Sequence, residues 1–569
     1  MNIELSDQAQ AALDADEPIL VLGGPGSGKT TLALLKAQRL IPTLLPGQEV
    51  LFLSFSRAAV RQVLIRCREI LTSNERKLMS VKTYHAFCME LLKSHGRLLT
   101  GKPARIAYPT TSLLAKSACE GDWEVEQQRL AREEGIYCFQ RFAPASVEIL
   151  SRAAKVLDLI GKCYPVIILD EFQDTDDSQW ELVKLLSQHS CLIALADLDQ
   201  RIFDYDAKVD PERLNHFRAF LHPAEFDLGN ANHRSPDANI LTFADAVLRN
   251  EPLPYTRDVT VNSYWGNSSQ ATMHAHVIWT YVSLLKMGIP SPTVAVLCRS
   301  NPLVADVSAL LNEPHSLRGK TYSAIDHHVV WDAELTTAAA QVVASILEWP
   351  QHDLRTGVAA TLHHISNYYD LKNAVHPSTS ARATASSYRT AEAAVLDNRD
   401  PRSQAGKQLV ASFKVGVNLL GKPENDWLMA RNVVAGNPKL KEVFISARFV
   451  RLFRATDEIG GTLSKEWLAS GTYGRAAESI RRTLEARQLI SENTEPRGIM
   501  LMTMHKAKGK EFDGVVIIEG QHRGTFFGDS REQEPFEATR RLLRVAITRA
   551  RHKVHIVRPN GVRPLTDHD

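Results

Sequence analysis

The residues best suited to chemistry are concentrated in a glycine-rich stretch near the start of the chain. Residues 23–30 read Gly-Gly-Pro-Gly-Ser-Gly-Lys-Thr and follow the apolar run Ile19–Leu22, which predicts a buried parallel strand. The residues after them predict the first turns of a helix. Glycines let successive backbone N–H groups turn toward phosphate oxygens, and a helix N-terminus adds partial positive charge. A strand, this loop and a helix predict a nucleoside triphosphate site rather than a ligand-free turn.

The last two residues of this loop have side chains that are expected to bind the nucleotide and its metal ion. Lys29 can reach the β- and γ-phosphates of the nucleotide, and the hydroxyl of Thr30 can ligate Mg²⁺. The backbone around them would surround the phosphates. The predicted cofactor-binding residues of the loop are Gly24, Pro25, Gly26, Ser27, Gly28, Lys29, Thr30 and Thr31.

Two carboxylates follow a second predicted buried strand. The run Val-Ile-Ile-Leu ends at Leu169, and Asp170 and Glu171 come directly after it. We expect Asp170 to bind Mg²⁺ and Glu171 to orient or deprotonate an attacking water. An acidic N-cap for the next helix is the alternative. The phosphate loop upstream favours the catalytic interpretation.

Other strand and helix ends supply further candidates for the nucleotide site. Gln200 follows a predicted strand over residues 191–196 and is a candidate sensor of the γ-phosphate. Arg549 follows a helical run far along the chain, and an arginine brought from another lobe can couple closure to hydrolysis. A glutamine before the phosphate loop could read the adenine edge. Gln8 and Gln10 are both candidates, and an ordinary surface position is the alternative for each.

Hydroxyl, basic and aromatic side chains at strand ends also suit single-stranded nucleic acid. Open α/β sheets bind their ligands at the carboxyl ends of the strands. Hydroxyl and basic groups there can contact phosphates, and aromatic rings can stack on bases. Taken alone, each stretch is more often an ordinary loop or core segment. The candidates are Ser56, Arg57, Thr83, His85, Phe203 and Tyr205.

These sites must be positioned by a large chain of ordinary composition. With 569 residues, it should fold into about three to five domains. A net charge of +2 indicates no overall attraction to nucleic acid, so a basic groove would have to be local. Seven scattered cysteines without a C-x-x-C pair argue against zinc, an iron–sulfur cluster or a disulfide framework. The lack of a leader or a long apolar run predicts a cytoplasmic protein.

The order of segments predicts two α/β domains, each built on a parallel sheet and each interrupted by a mostly helical insert. Strand patterns disappear over residues 91–163 and again over residues 352–495. Within the second of these ranges, the Ser-, Thr- and Ala-rich stretch Pro377–Thr390 indicates a flexible connection. The predicted boundaries are 1–90 and 164–251 for the first domain, 91–163 for its insert, 252–351 and 496–569 for the second domain, and 352–495 for its insert.

In this order, the motifs resemble those of the UvrD/Rep/PcrA family of superfamily 1 DNA helicases over nearly the whole chain. The stretch after the carboxylates is the most specific, because most other phosphate-loop proteins lack it. The matching stretches are Gly-Pro-Gly-Ser-Gly-Lys-Thr, Ser-Phe-Ser-Arg-Ala-Ala, Thr-Tyr-His-Ala-Phe, Asp-Glu-Phe-Gln-Asp-Thr, Asp-Leu-Asp-Gln-Arg-Ile-Phe, Asn-His-Arg-Ser-Pro, Thr-Met-His-Lys-Ala-Lys-Gly-Lys-Glu-Phe and Val-Ala-Ile-Thr-Arg-Ala.

The resemblance implies two RecA-like lobes with ATP and Mg²⁺ in the cleft between them. It implies that Arg234 and Arg549 contact the γ-phosphate and that Glu511 contacts the ribose. It adds Thr503 and His505 to the residues along the DNA strand. The implied activity is ATP-dependent 3′-to-5′ translocation on single-stranded DNA, with unwinding at junctions of single-stranded and double-stranded DNA.

Four positions depart from the family pattern. His233 stands where the family has an adenine-stacking tyrosine, and Asp206 replaces an arginine of the third motif. Lys510 replaces a leucine, and Arg544 replaces a tyrosine. Both inserts look short, so the parts that separate strands and grip duplex are expected to be reduced. Two alternatives therefore stay open: a DNA-sensing ATPase subunit that regulates a partner nuclease, as in antiphage systems such as Gabija, and an RNA helicase.

Overall fold

The computed structural model describes residues 6–107, 112–113, 115–116, 119, 121–200, 209–229, 239–330, 333–375, 379–447, 458–491, 498–528 and 532–568. The chain divides into two compact units. Unit 1 comprises Met1–Pro103, Phe142–Val330 and Glu495–Asp569, and unit 2 comprises Ala104–Arg141 and Trp331–Thr494. Among the described residues, no helix has the length and apolar character that crossing a membrane requires.

Most of the β-structure lies in two six-stranded sheets, both in unit 1. Two short two-stranded pairs complete the strands of the described residues. The strands are β1 (Ile19–Leu22), β2 (Val50–Ser54), β3 (Met79–Thr83), β4 (Arg105–Ile106), β5 (Ile136–Tyr137), β6 (Val166–Leu169), β7 (Cys191–Ala196), β8 (Ala224–Asp227), β9 (Val259–Tyr264), β10 (Val294–Cys298), β11 (His315–Leu317), β12 (Lys320–Tyr322), β13 (His327–Val329), β14 (Ile499–Thr503), β15 (Phe512–Ile518) and β16 (Ala550–Pro559).

The first sheet has the strand order β3-β2-β6-β7-β1-β8, and all its neighbours pair in parallel. We call this sheet and its helices the first lobe. Its central strands are apolar along their whole length because helices cover both faces of a parallel sheet. Leu22 of β1 pairs with Ala196 of β7, and Leu169 of β6 pairs with Ala194. The loops after β1, β6 and β7 therefore emerge together at one edge.

The second sheet, with its helices the second lobe, has the order β13-β14-β10-β15-β16-β9 and is also parallel throughout. The helix Glu537–Ile547 packs on this sheet together with the helix Ile240–Arg249. The prediction of two α/β domains with parallel sheets is confirmed. The strands β11 and β12 form a hairpin on this lobe, and Arg318 and Gly319 turn it with φ of 50° and 76°.

The helices of unit 1 connect parallel strands, as crossover connections require. Their alternating apolar faces pack on the sheets, and their polar faces point outward. They are Asp7–Asp14, Lys29–Leu40, Arg57–Ile70, Ser73–Arg76, Tyr84–His95, Arg97–Thr100, Phe142–Arg152, Ala154–Cys163, Asp177–Leu186, Arg213–Leu221, Ile240–Arg249, Ser269–Lys286, Asn301–Leu311 and Glu537–Ile547.

Unit 2 is helical apart from the short parallel pair β4 and β5, as far as the described residues go. One large cluster of buried side chains, from Leu335 to Ile480, forms its core. The predicted insert 91–163 contains the segment of unit 2 but is longer, because the helices Phe142–Arg152 and Ala154–Cys163 belong to unit 1. The six predicted domain boundaries stay predictions. The helices of unit 2 are Trp123–Arg129, Ala333–Leu347, Leu354–Val375, Thr379–Leu396, Gln404–Val415, Pro423–Ala435, Lys441–Ala447, Glu458–Ser470 and Ala476–Ser491.

The prediction of a flexible connection over Pro377–Thr390 was wrong. Its described residues belong to the helix Thr379–Leu396, which packs along the helix Leu354–Val375. Ala381, Ala385 and Tyr388 are buried at helical spacing, and small side chains let the two helices approach closely. The hydroxyl of Thr384 donates to the carbonyl one turn earlier, at 2.8 Å. Residues with hydroxyl side chains therefore do not break this helix, because backbone carbonyls of the same helix accept their hydrogen bonds.

Buried histidines predict that the second lobe loses stability in acid. Burial and, to a smaller extent, the neighbouring His315 lower the pKa of His274 to about 4. The unfolded chain takes up a proton near pH 6.5 and the folded chain does not, so the free energy of unfolding falls as pH drops from about 6.5 to about 4. We expect His274→Phe to reduce this loss by on the order of 2–3 kcal/mol. Urea denaturation at pH 7.5 and 4.5 measures it, and an unchanged pH dependence in the variant would contradict it.

Candidate active site

The glycine-rich loop turns sharply between β1 and the helix Lys29–Leu40. Gly26 and Gly28 have φ of 81° and 91°, a left-handed conformation that only glycine adopts without cost. A Cβ atom on Gly23 would lie 2.5 Å from the Ser27 hydroxyl oxygen. The glycines are therefore required by the path of the loop itself, and the loop ends at the N-terminus of the helix.

The polar groups of the loop fit a polyphosphate. The Lys29 ammonium donates to the carbonyl oxygens of Gly23 and Gly24 at 2.6 and 3.0 Å, so it is held across the loop. The Ser27 hydroxyl is buried and has no hydrogen-bond partner. An unpaired buried hydroxyl is costly, and an oxyanion held by the loop would satisfy it. The loop thus has the donors and the shape that phosphate oxygens need.

Ser27→Ala tests whether the Ser27 hydroxyl binds a phosphate or only supports the structure of the loop. Removing an unpaired buried hydroxyl should leave the free energy of unfolding of the ligand-free protein unchanged or raise it by up to about 1 kcal/mol. If the hydroxyl contacts a phosphate, KM for ATP should rise about threefold to tenfold. Thermal denaturation without nucleotide and steady-state kinetics measure the two effects. A destabilised variant with an unchanged KM would contradict the prediction.

Asp170 follows β6 and has the environment of a metal ligand. Its carboxylate accepts a hydrogen bond from the Ser54 hydroxyl at 2.9 Å. Burial and the negative charge of Glu171 raise the pKa of Asp170 to about 7. A divalent cation would hold such a carboxylate in its ionised form. Asp170 and Thr30 are the residues of this site that could hold Mg²⁺.

Glu171 is held by several contacts in an unusual backbone conformation. Its φ of 50° is left-handed, which is rare outside glycine and is found at functional sites. The Gln173 amide donates to its carboxylate at 2.6 Å. Burial alone would raise the pKa of Glu171, but the positive charges of Lys508 and Lys29 outweigh it, and the pKa is lowered. Glu171 is thus an ionised, oriented carboxylate, suited to act on a water molecule.

A network of side chains fixes Gln200 beside these carboxylates. The Gln200 amide donates to Asp197 at 2.8 Å. The backbone N–H of Asp197 donates in turn to the Gln173 side chain at 3.1 Å. Burial raises the pKa of Asp197, and the positive charges of Lys29 and Arg544 oppose this rise. The loops after β6 and β7 are therefore joined by a buried chain of hydrogen bonds.

Arg549 reaches this network from the second lobe. It lies between the helix Glu537–Ile547 and β16, and it is almost fully buried. Its Nη2 donates to the Gln200 side-chain oxygen at 3.3 Å, and its Nε donates to the Val545 carbonyl at 2.9 Å. The structure thus brings together Gln200 and Arg549, which are far apart in sequence.

Two basic residues that the sequence did not single out for this site also connect the lobes. Lys508, in the loop after β14, pairs with Asp174 and donates to the backbone carbonyl of Gln200 at 2.7 Å. Arg544 is fully buried. Its Nε donates to Asp245 of its own lobe at 2.7 Å, and its Nη2 lies 3.6 Å from the Asp199 carboxylate of the first lobe. Both lie inside motif-like stretches, but only the tertiary structure reveals their partners.

Several predicted nucleotide contacts lie elsewhere or outside the described residues. Gln8 and Gln10 are exposed, and Gln10 donates to its own helix neighbour Asp14 at 2.8 Å. Glu511 accepts a hydrogen bond from Arg551 at 3.1 Å. Their predicted parts in adenine and ribose binding stay predictions. The predictions for Phe203, Tyr205, Asp206, His233 and Arg234 fall outside the described residues.

The predicted nucleic-acid contacts of the first lobe begin at the ends of neighbouring strands. Ser56 and Thr83 cap the helices after β2 and β3, each accepting a backbone hydrogen bond at 3.1 Å. Part of His85 is exposed to solvent, but neighbouring protein atoms partly desolvate its imidazole ring, and this lowers its pKa. Asp176 opposes this shift, and Arg57 adds to it. Arg57 and His85 therefore lie close enough to interact.

The second lobe comes close to the same surface. Thr503 ends β14, and His505 follows it in the turn His505–Ala507. Desolvation and the positive charge of Arg299 lower the pKa of His505. A Cβ atom on Gly509 would lie 3.0 Å from the Ser56 hydroxyl oxygen. Gly509, four residues after His505, thus lies beside Ser56, and the predicted DNA contacts of Thr503 and His505 stay predictions.

Known families match both ends of the chain. The UvrD/REP helicase N-terminal domain matches residues 5–128 and 121–218. The UvrD-like helicase C-terminal domain matches residues 448–559. These ranges contain the phosphate loop, the carboxylates, Gln200 and Arg549, so the matched regions are those that build the site.

Curated relatives are similar along nearly the whole chain. The putative ATP-dependent DNA helicase YjcD of Bacillus subtilis is 22% identical and covers 99% of this chain and 79% of its own length. A probable DNA helicase II homolog of Mycoplasma capricolum is 23% identical, covering 98% and 84%. The ATP-dependent DNA helicase PcrA of Staphylococcus epidermidis is 21% identical, covering 97% and 82%.

Proposed function

This chain belongs to the UvrD/REP helicase family, and from that premise we propose that it is an ATP-dependent DNA helicase that translocates 3′ to 5′ on single-stranded DNA. One observation carries the proposal. Arg549 of the second lobe donates to Gln200 of the first, beside the phosphate loop. A hydrolysis site completed by two lobes changes when the lobes move, which is what coupling of ATP turnover to translocation requires.

Different residues of the site have different roles in ATP hydrolysis. When bound, ATP with Mg²⁺ supplies the phosphoanhydride whose cleavage drives the cycle. Lys29 and the loop N–H groups bind the phosphates, while Thr30 and Asp170 hold the metal. Glu171 orients water and accepts its proton, because its carboxylate is ionised and anchored by Gln173. The residues assigned to stabilising charge on the transferring phosphoryl group are Gln200, Arg234 and Arg549.

The contacts between the lobes link this site to the DNA surface. The loop after β14 carries Lys508, which pairs with Asp174 at the hydrolysis site. The next residue, Gly509, abuts Ser56 on the candidate DNA surface. One short loop thus contacts Asp174 and Ser56, and we infer that it couples ATP hydrolysis to DNA binding. We propose that the residues in contact with the DNA strand are Ser56, Arg57, Thr83, His85, Phe203, Tyr205, Thr503 and His505.

The test is steady-state ATPase activity without polymer, with single-stranded DNA and with RNA of the same length. Strand displacement on 3′-tailed and 5′-tailed duplexes follows. We expect stimulation by DNA and displacement from the 3′ tail alone. Stimulation without displacement would favour a DNA-sensing ATPase that regulates a partner nuclease, and stimulation by RNA alone would favour an RNA helicase. No stimulation by either polymer would contradict the proposal.

Arg57→Ala tests the DNA surface. Losing one phosphate contact should weaken DNA binding about equally for all sequences and reduce the slope of log affinity against log salt by about 1. Fluorescence anisotropy with a labelled oligonucleotide at several salt concentrations measures both. Arg66→Ala is the matched control, because Arg66 lies on the same helix and pairs with Glu69 at 3.0 Å on an exposed face. Equal effects of the two variants would contradict the assignment.

A further inference from the structure

Arg544 is a charged residue buried at the junction of the lobes. It is fully buried on the helix Glu537–Ile547. Its Nε donates to Asp245, a partner in the same lobe. Neither Nη1 nor Nη2 has a hydrogen-bond partner. Buried guanidinium groups normally use these atoms, so the outer half of this side chain is placed for something other than the contact with Asp245.

A carboxylate of the first lobe lies close to that outer half. The Asp199 carboxylate lies 3.6 Å from Nη2 of Arg544. This is an ion pair that is too long to be a hydrogen bond. Asp199 is the residue before Gln200, in the short helix Leu198–Gln200. A small approach of this turn to the helix would bring the pair to hydrogen-bond distance.

The turn that holds Asp199 is fixed at its other end to the hydrolysis site. The Asp199 backbone N–H donates to Asp197 at 3.0 Å, and the Gln200 amide donates to the same carboxylate. Arg549 contacts Gln200 from just beyond the helix that carries Arg544. Two arginines, five positions apart, therefore engage two adjacent residues of one turn.

We propose that Arg544 is a positioning residue: through Asp199 it holds the Leu198–Gln200 turn against the helix Glu537–Ile547 and so sets the place of Gln200 relative to Arg549. This inference rests on the proposed function, since it concerns the same hydrolysis site. Arg544 touches neither substrate nor water in this role. Its pairing with Asp199 adds a second link between the lobes beside the contact of Arg549 with Gln200.

The test is a double-mutant cycle of Arg544→Met, Asp199→Asn and both together, read as kcat and KM of DNA-stimulated ATP hydrolysis. We expect each single variant to lower kcat about tenfold with KM for ATP within about threefold, and the double variant to be no slower than the slower single one. Asp199→Glu keeps the charge and is one methylene longer, so it should restore kcat to within about threefold of the wild type. If Arg544 had a purely structural role, restoring the negative charge at position 199 with glutamate would not restore kcat.

A matched control lies on the same helix. Arg541 pairs with Glu537 at 3.1 Å, one turn from Arg544. Arg541→Met should leave kcat within about twofold of the wild type. Additive effects in the cycle, or an Asp199→Asn variant with wild-type kcat, would overturn the proposal. Because the Asp199 side chain is 46% exposed, its variants test the pair even if Arg544→Met fails to fold.

The wild-type protein separates the failure of this inference from the failure of the proposed function. If the wild type shows no DNA-stimulated hydrolysis, the proposed function fails, and the cycle is read instead as the thermal shift induced by a non-hydrolysable ATP analogue with Mg²⁺. Coupling between Arg544 and Asp199 in that shift would support the positioning role. Independent effects of the two variants would overturn it.

Discussion

Glu171→Gln is expected to reduce kcat for ATP hydrolysis by about 10²- to 10⁴-fold while ATP still binds. Glutamine has nearly the same shape, so it can still occupy the pocket formed by Gln173 and Lys508. It cannot accept a proton from water. The two lysines that keep the pKa of Glu171 low would lose their anionic partner, so the affinity for the anionic nucleotide should hold or increase.

Single-turnover hydrolysis and binding of a fluorescent ATP analogue measure the two effects separately. Glu181→Gln is the matched control, since Glu181 lies on the following helix and its exposed carboxylate pairs with Lys184 at 2.7 Å. It should hydrolyse ATP at the wild-type rate. Hydrolysis by Glu171→Gln within tenfold of the wild type would show that another group handles the proton, and the assignment would be wrong.

The parts of the site that follow strands could be predicted because their positions depend on local sequence. Lys29, Asp170 and Gln200 each lie within a few residues of the end of an apolar run, and parallel strands place such loops at one edge. The strand order need not be known for this inference. The sheet then brings together loops that are distant in sequence, as the hydrogen bond from Asp197 to Gln173 illustrates.

The edges of the sheets were harder to predict for a physical reason. The strands β8 and β9 lie at the edges, where one side of the strand faces solvent, and no continuous apolar run marks them. β8 reads Ala-Glu-Phe-Asp, with its residues partly or fully exposed. Such a segment forms a strand because a neighbour offers hydrogen bonds, and that neighbour is set by the tertiary fold.

The contacts between the lobes could not be predicted from spacing at all. Lys508 and Asp174 are separated by most of the chain, and nothing in either local sequence specifies the other. The same holds for Arg544 with Asp199. Gln10 shows the converse, because its local partner Asp14 competes with any adenine contact. Sequence thus predicted which loops lie together at one edge of the sheet, and packing decided which side chains meet there.

Arg549→Ala is expected to lower kcat for ATP hydrolysis by about 10³-fold or more, the size of effect that an arginine supplied to a phosphoryl-transfer site has. The guanidinium is held by three acceptors, the Val545 carbonyl, the Thr548 hydroxyl and the Gln200 side chain. Its loss removes the positive charge and frees Gln200. KM for ATP should change much less, because the phosphate loop and Lys29 remain intact.

Arg549→Lys distinguishes charge from geometry. A lysine ammonium carries the same charge but cannot bond the Val545 carbonyl through one nitrogen and reach Gln200 with another. We therefore expect it to recover less than a tenth of the lost rate. Arg541→Ala, on the preceding helix where Arg541 pairs with Glu537 at 3.1 Å, should match the wild type, and thermal denaturation checks that each variant is folded. Full recovery by lysine would mean that a point charge suffices, and the hydrogen bond between Arg549 and Gln200 would then have no part in hydrolysis.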